Sequence, residues 1–157
     1  MRPTEPFRSE HEELHAHIEH LGEAARSIPG LSIEDREALL GRIVDFLRGT
    51  LIPHAKAEEE VLYPAWAKLV GFDGAAVPMV HDHEAILARI ERLEHTEPAD
   101  TDALQELLYG LYALIGVHFR KEEDIQLPVF DAAPPEVTQG VIERMAAISG
   151  HGHAHAD

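Results

Sequence analysis

The chain has no cysteine among its 157 residues. That absence excludes disulfide bonds, cysteine-ligated iron–sulfur clusters and thiol nucleophiles. Basic residues are also scarce, 13 against 29 acidic residues, and the net charge of −16 disfavours binding to nucleic acid or to an anionic membrane. No apolar run is long enough to span a bilayer, and the N-terminal segment carries no secretory signal. We therefore expect a cytoplasmic protein.

No segment alternates between apolar and polar residues with a period of two, so the sequence predicts no β-sheet. Apolar residues recur instead at helical spacing over about residues 8–27, 33–69, 77–96 and 101–127, and a further helix follows Pro134-Pro135 to about residue 148. This pattern predicts an all-α fold, an antiparallel up-down-up-down four-helix bundle with a short C-terminal fifth helix. We assign residues 1–150 to the bundle and residues 151–157 to a disordered histidine-rich tail.

Three residues mark local features of these predicted helices. Ser32 and Thr101 are the predicted N-caps of the second and the fourth helix, because a hydroxyl group there accepts a hydrogen bond from the first helical turn. Pro53 lies inside the second helix, where it predicts a kink and an unpaired carbonyl at Gly49.

Histidine is abundant, with 12 residues, and two of them begin a repeated segment. In both copies a glutamate follows the histidine at the fourth position, so each pair lies on one helix face, one turn apart. A proline and an aromatic residue follow both pairs in register. A single such pair is often a solvated ion pair, but two copies on two helices predict metal ligands, which are His54, Glu58, His118 and Glu122.

Two further ligands are predicted from the hairpin geometry, because residues equidistant from a turn lie side by side. Counting back from the loops brings His11 of the first helix and His83 of the third helix to the level of the repeated pairs. The alternates are His15, His81, Glu59 and Glu123. The two alternate glutamates are expected to be solvated unless they bind metal or orient an imidazole.

The remaining histidines and tyrosines receive structural predictions. His20 and His95 are expected at the surface. The tyrosines are expected to be core residues with a hydroxyl at the edge, and they are Tyr63, Tyr109 and Tyr112. Tyr112 is also a candidate neighbour of His118.

The predicted ligand set determines which chemistry is available. Four neutral imidazoles and two carboxylates, with no sulfur, suit iron, manganese or zinc. Two octahedral ions need about twelve donor positions, and the imidazoles with two bridging carboxylates supply about eight. One shared oxo or hydroxo ligand counts twice, so about two positions stay open to dioxygen or peroxide. Because a structural metal site is closed by protein ligands, we favour a redox-active iron pair over zinc.

In these motifs the chain resembles the hemerythrin-like (HHE cation-binding) domains, and most closely those of actinobacteria. The resemblance covers about residues 8–130, with the motifs Glu10-His11-x-x-Leu14, Pro53-His54-x-x-x-Glu58-Glu59, Asp82-His83-Glu84 and His118-Phe119-x-Lys121-Glu122-Glu123. It implies a four-helix bundle that holds two iron ions in an oxo- or hydroxo-bridged, non-haem centre. The ligands that it implies are His11, His54, Glu58, His83, His118 and Glu122.

The chain departs from the family's oxygen carriers, which use five histidines, two of them four residues apart on the third helix. Here Met79 and Leu87 flank His83 at that spacing, so His15 and His81 are the candidates for a fifth imidazole. We therefore expect a di-iron protein that binds or reacts with dioxygen, hydrogen peroxide or nitric oxide, with catalase-like turnover as one form of that reaction. The alternative is a non-enzymatic iron or oxygen sensor, or a metal store. The sequence indicates no protein partner.

Overall fold

The computed structural model describes residues 1–149, and within that range the chain forms helices and turns with no strand. The first, third and fifth helices are regular α-helices at Glu5–Ser27, Val77–Glu94 and Pro135–Ser149. The second helix is continuous but changes pitch, and it comprises Ile33–Phe46, Leu47–Leu51, Ile52–Ala57, Glu58–Leu62 and Tyr63–Val70. The fourth helix comprises Thr101–Lys121, Glu122–Gln126 and Leu127–Ala132. The predicted all-helical class is confirmed, and the predicted tail at 151–157 lies outside the described residues.

The ends of two helices differ from the predicted ones. The first helix begins at Glu5 instead of near residue 8, because Pro6 occupies its first turn, where the missing N–H would have no helical partner. The fourth helix continues to Ala132 instead of ending near residue 127. None of the helices in residues 1–149 is both long enough and apolar enough to cross a membrane.

One of the two predicted N-caps is correct. Ser32 accepts a hydrogen bond from the backbone N–H of Asp35 at 3.1 Å, as predicted. The prediction for Thr101 is wrong, because Asp100 caps the fourth helix and accepts a hydrogen bond from the backbone N–H of Ala103 at 3.1 Å. The shift of one residue follows from the carboxylate, which is at least as good an N-cap as a hydroxyl group.

Three π turns widen the second and fourth helices, and each ends two residues before a proline. The turns are Leu47–Leu51, Glu58–Leu62 and Glu122–Gln126, and the prolines are Pro53, Pro64 and Pro128. Proline has no N–H to donate, and its ring clashes with the carbonyl four residues back, so a local change to i→i+5 bonding accommodates it. The chain therefore stays helical through Pro53. Each π turn also changes the face on which the following residues lie.

Two apolar clusters fill the interior, with a polar layer between them. The larger cluster includes Leu14, Leu51, Ile86 and Ile115. The smaller cluster includes Phe7, Ala57, Met79, Leu127, and Val141 and Met145 of the fifth helix. On each long helix a predicted ligand separates the two clusters, as His11 does between Phe7 and Leu14. The fifth helix closes the bundle on the side of the smaller cluster.

Contacts at both ends describe how the first and the fourth helix lie against each other. Nδ1 of His11, near the start of the first helix, lies 3.0 Å from Oε1 of Glu123 in the last part of the fourth. The carbonyl of Ala25, near the end of the first helix, accepts a hydrogen bond from Nε2 of Gln105 at 2.9 Å. The two helices therefore run in opposite directions.

Candidate metal centre

The six predicted ligands meet in the polar layer between the two apolar clusters. All six are buried, and Glu58 and Glu122 have no exposed surface (0%). The Nε2 atoms of His11 and His54 are 3.3 Å apart, and those of His83 and His118 are 2.9 Å apart. The structure thus brings together the side chains that the sequence singled out on four different helices, which are His11, His54, Glu58, His83, His118 and Glu122.

The cluster divides into two halves that share one glutamate. Ligand atoms that all lie within 4.8 Å of one another come, in one group, from His11, His54 and Glu58. The second group is Glu58, His83, His118 and Glu122. We call these the first-helix half and the third-helix half, after the positions of His11 and His83.

Each of the two buried glutamates faces both halves. Oε1 of Glu58 lies 2.7 Å from Nε2 of His54, and its Oε2 lies 3.2 Å from Nε2 of His83. Glu122 repeats this arrangement, with its oxygens 3.2 Å and 3.5 Å from one imidazole of each half. A carboxylate that offers one oxygen to each of two adjacent positions has the geometry of a bridging ligand for two cations.

A carboxylate holds the other ring nitrogen of every clustered imidazole. The Nδ1 atoms of His11, His54, His83 and His118 lie 3.0, 3.1, 2.7 and 2.9 Å from oxygens of Glu123, Glu10, Glu59 and Asp82, respectively. An ionised carboxylate can only accept a hydrogen bond, so each Nδ1 carries the proton and donates it. Each Nε2 is thereby directed to the centre, where it can bind a cation once any proton it carries is displaced.

Of the two roles that the prediction left open for Glu59 and Glu123, the contacts agree with the orienting role. Both side chains orient imidazoles, and both remain partly exposed at 40% and 25%. Neither belongs to the two groups of clustered ligand atoms within residues 1–149. Glu10 and Asp82 have the same orienting role and were missed by the sequence reasoning. The signal that could have found them is their position, because each directly precedes a clustered histidine.

The buried groups of the centre shift one another's ionisation. Burial would raise the pKa of the Glu58 carboxyl, but the charge of the neighbouring His54 holds this pKa well below its usual range. Burial would likewise lower the pKa of His118, but its interactions with Glu122 raise the pKa to about 9. In the metal-free centre, positively charged imidazoles thus balance the buried carboxylate, and a bound cation would take over that role.

The unpaired atoms of the centre show that it fits cations. Both oxygens of Glu58 and Oε2 of Glu122 are buried and accept no hydrogen bond, although an imidazole nitrogen lies as close as 2.7 Å. These atoms are close but are not aligned for hydrogen bonding. A buried carboxylate without a partner is costly, and a metal ion between the nitrogen and oxygen lone pairs removes that cost. The nitrogen and oxygen donors suit iron, manganese or zinc.

Comparison with known protein families agrees with this geometry. Residues 2–130 match the family described as the hemerythrin HHE cation binding domain. The chain belongs to this family. It is therefore a cation-binding domain, and the match covers the first four of the five helices described within residues 1–149. Comparisons with curated proteins and with solved structures give no match, so the closeness to actinobacterial members stays a prediction.

A cavity of about 20 Å³ adjoins the centre of this hemerythrin domain. Ligand side chains of both halves line it on one side, and Ala55, Ile86, Ile115 and Phe119 are among the apolar residues on the other. The repeat explains its position, because Ala55 stands where the other copy has Phe119. The ring of Phe119 stacks on His11 at 4.3 Å, whereas the smaller Ala55 leaves space beside the second helix.

The candidates for a fifth imidazole do not reach the centre of the hemerythrin domain. His81 is exposed. The side chain of His15 is 39% exposed, and its Nε2 lies 2.9 Å from Oε1 of Glu123. Hydrogen bonds from His11 and His15 together lower the pKa of Glu123 to about 2. His20 and His95 lie at the surface, as predicted.

Tyr63 also enters the centre, at a position that the sequence did not predict. We expected its hydroxyl at the edge of the core, but the hydroxyl enters the third-helix half and donates a hydrogen bond to Oε1 of Glu122 at 2.7 Å. It also lies 3.2 Å and 3.3 Å from the Nε2 atoms of His83 and His118. The π turn Glu58–Leu62 causes this position, because the backbone N–H of Tyr63 bonds to the carbonyl of Glu58, five residues back.

The prediction for the other two tyrosines is wrong for one and correct for the other. Tyr109 is 40% exposed and is not a core residue. The ring of Tyr112 is half-buried against the larger apolar cluster, as predicted, and its hydroxyl at the edge donates a hydrogen bond to Glu19 at 3.3 Å instead of lying beside His118. Both residues precede the π turn of the fourth helix, so no change of pitch turns them towards the centre.

Proposed function

We propose that this hemerythrin domain holds two iron ions, joined by an oxo or hydroxo bridge, and that they bind or react with dioxygen, hydrogen peroxide or nitric oxide. The proposed ligands are His11, His54, Glu58, His83, His118 and Glu122. The observation that carries the proposal is the position of the Glu58 carboxylate, whose two oxygens face different halves. Its Oε1 lies 2.7 Å from Nε2 of His54, and its Oε2 lies 3.2 Å from Nε2 of His83. A single cation would leave the donors of one half unused.

The donor set and the surrounding residues support iron as the cation. Imidazole and carboxylate ligands without thiolate suit iron, and bound iron supplies one-electron and oxygen chemistry. The four outer carboxylates hold the Nδ1 atoms of the clustered imidazoles and so direct each Nε2 towards the centre. Phe7 and Phe119 pack on the ring of His11, with centroids at 4.5 and 4.3 Å, and exclude bulk water from the first-helix half.

The size of the adjoining cavity supports a small reactant. A volume of about 20 Å³ holds one molecule of the size of water, which needs roughly 10–15 Å³ on this measure. Dioxygen, nitric oxide and peroxide are of that order, whereas an organic substrate is many times larger. The apolar lining favours uncharged reactants over ions.

The alternative function is a sensor or a metal store, and the same site supports it. The ligands come from four helices, so bound metal would tie these helices together and stabilise the fold by mass action. A sensor would use that gain in stability to change its contacts with a partner. Turnover of peroxide by the iron-loaded protein distinguishes the enzyme from the sensor and the store.

We also propose the up-down-up-down topology and the cytoplasmic location that the sequence predicts. Contacts between the second and third helices support the topology, because Arg48 pairs with Glu94 while Glu59 holds His83. Pairs that lie in opposite order along the two helices are typical of antiparallel neighbours. We likewise propose that nucleic acid and membranes are not partners, on the basis of the acidic composition.

An anaerobic ferrous iron titration, followed by separate additions of dioxygen, hydrogen peroxide and nitric oxide, tests the proposal. We expect binding to saturate at about two irons per chain, as the two bridging carboxylates require. We also expect near-ultraviolet absorption typical of an oxo-bridged ferric pair after oxidation. Saturation at one iron or fewer, or iron that is inert to all three reactants, contradicts the proposal.

A further inference from the structure

We propose that the cleft between the first and the second helix binds a small amphipathic carboxylate, whose alkyl chain covers the apolar floor and whose head group pairs with Arg42. The volume of the cleft is about 590 Å³, in the range of small-molecule sites. None of the six proposed cation ligands lines it. The inference therefore concerns a second site and goes beyond the function proposed for the metal centre.

The floor of the cleft is apolar on both helices. Leu21 and Ala24 form it on the first helix, one turn apart. On the second helix the floor consists of Leu39, Ile43 and Phe46, which share one face. Leu39 and Phe46 are only partly buried, so this face of the larger apolar cluster still meets water. An alkyl chain in the cleft would remove that apolar area from water, which is favourable.

Two imidazoles stand on the first-helix side of the cleft. The ring of His17 stacks on Phe46, with the centroids 4.5 Å apart and the planes inclined by 18°. The centroid of the His20 ring lies 6.3 Å from that of His17. Each imidazole can donate a hydrogen bond to an anion through a ring nitrogen. Because the stack on Phe46 is already formed, part of the wall is in place before a ligand binds.

Arg42 supplies the charge that identifies the head group. It is exposed, it lines the cleft, and it makes no hydrogen bond or ion pair with another residue in the range 1–149. The arginines on either side of it along the second helix do have partners. Arg36 donates a hydrogen bond to the carbonyl of Pro98 at 2.9 Å, and Arg48 pairs with Glu94. The guanidinium of Arg42 is therefore available to an external carboxylate, which it can bind through two parallel hydrogen bonds.

The acidic residue of the cleft leaves Arg42 available. Among the described residues that line the cleft, only Glu23 is acidic, and its Oε2 lies 3.9 Å from Nε2 of His20. The partner of this carboxylate is therefore His20 and not Arg42. The cleft thus combines an apolar floor with one unpaired cation, which is the complement of an alkyl chain with one carboxylate.

The charge of the whole chain favours a small monoanion over a large acidic partner. A net charge of −16 repels anions at long range, but at physiological salt the Debye length is about 8 Å, so the nearby Arg42 dominates. A second copy of the chain would bring the same net charge to a cleft with a single unpaired cation. The aliphatic floor favours an alkyl chain over a polar body. The ligand class is therefore a fatty acid of short or medium chain length.

Calorimetric titration with octanoate at physiological salt tests the inference, and 1-octanol is the matched uncharged ligand. We expect saturable binding of octanoate with a Kd in the millimolar range or below. We expect 1-octanol to bind about tenfold more weakly, because it cannot accept charge-assisted hydrogen bonds as a carboxylate does. Both the metal-free and the iron-loaded chain are titrated. Octanoate should bind equally to both, since a carboxylate held by iron would need the metal.

The decisive variant is Arg42→Met, which keeps an unbranched side chain on the exposed helix face and removes the charge. We expect the affinity for octanoate to fall by about tenfold, and the affinity for 1-octanol and the binding of iron to stay unchanged. Arg144→Met is the matched control, because Arg144 is an exposed arginine of the fifth helix that does not line the cleft. It removes the same charge and should bind octanoate like the unmodified chain.

Three results overturn the inference while leaving the two-iron proposal intact. The first is the absence of saturable octanoate binding, and the second is equal affinity for octanoate and 1-octanol. The third is an Arg42→Met variant that binds octanoate like the unmodified chain.

Two further outcomes would assign a different occupant and also overturn the inference. Octanoate that binds only to the iron-loaded chain would be a ligand of the metal centre. A chain that binds no octanoate and sediments as a dimer, which Arg42→Met dissociates, would use the cleft to bind a second copy. A failure of iron binding, by contrast, overturns the proposed function and leaves the fatty-acid site standing.

Discussion

The two halves of the centre follow one plan. In each half, a histidine of the repeated segment meets a histidine of a neighbouring helix. The acidic residue directly before His11 is Glu10, and the one directly before His83 is Asp82. Each of them holds Nδ1 of the repeated-segment histidine in its own half. The similarity of the two halves therefore extends beyond the repeated segments, to the residues that orient the histidines.

The halves differ where the repeat is broken. Tyr63 corresponds to Leu127, Phe119 to Ala55, and Lys121 to Ala57. Tyr63 and the ion pair of Lys121 with Asp82 lie in the third-helix half, and the cavity lies beside Ala55. The repeated residues supply a similar set of donor atoms to each half, and the unrepeated ones make the surroundings of the two halves chemically different.

The change with the largest expected effect removes the residue that joins the halves. Glu58→Gln should reduce iron binding from about two ions to one or fewer, because the amide carries no charge and cannot bridge. The rise in melting temperature on metal addition should fall with it, since ligand at about 100 times its Kd stabilises by about 2.7 kcal/mol. Metal analysis and thermal unfolding with and without iron measure both effects.

Glu60→Gln is the control, because Glu60 lies two residues away and is exposed. It should bind iron and melt like the unmodified chain. Full iron binding by Glu58→Gln would show that the halves are joined by another group.

The outer carboxylates allow each half to be weakened separately. Glu10→Gln should weaken the cation of the first-helix half, and Asp82→Asn that of the third-helix half, each by about 10–100-fold. The reason is that a neutral acceptor holds Nδ1–H less firmly and makes the imidazole a poorer ligand. Cobalt titration of the two variants should lower different steps. Loss of the same step in both would contradict the assignment of the halves.

Filling the cavity beside Ala55 tests whether this difference between the halves controls the access of reactants. Ala55→Val should fill most of the space and slow the reaction with peroxide or nitric oxide by about tenfold, because close-packed interiors respond to the volume of one methyl group. Iron content should not change. Ala38→Val is the matched control, since Ala38 is an exposed residue of the same helix and the substitution carries the same cost in helix propensity. Stopped-flow rates after iron loading give the measurement, and equal rates would mean that reactants enter elsewhere.

The sequence alone predicts correctly which repeated residues lie together. A histidine and a glutamate four residues apart must share a helix face, and hairpin counting finds the depth of His11 and His83 to within a turn. Those two rules depend only on regular helix geometry. They therefore hold wherever the helix is regular, and all six predicted ligands lie together in the structure.

The residues that the sequence did not predict owe their positions to irregular helix geometry or to the rotation of one helix relative to another. In a regular helix Tyr63 would face about 140° away from Glu58, and only the π turn brings the two together. The available signal was Pro64, a proline inside a helical pattern. Glu10 and Asp82 reach a histidine of another helix, and the rotation of one helix about its axis relative to the next is not contained in spacing along the chain.

The smallest expected effect concerns Lys121, which pairs with Asp82 in the third-helix half and has no counterpart at Ala57. The pair is partly exposed, so Lys121→Met should lower the stability of the metal-free protein by at most about 1 kcal/mol. Cation affinity should change in the opposite direction. Removing a positive charge near the centre leaves the full charge of Asp82 on the imidazole of His118, so cobalt(II) titrated into the metal-free protein should bind severalfold more tightly to this half.

Arg120→Met is the control for this last variant, because Arg120 is 78% exposed and pairs only with Asp124, at 3.6 Å. It removes the same charge from the adjacent position, outside the centre, and should leave the affinity for cobalt(II) unchanged. If Lys121→Met weakens cobalt(II) binding instead, Lys121 acts by holding Asp82 in position and not through its charge.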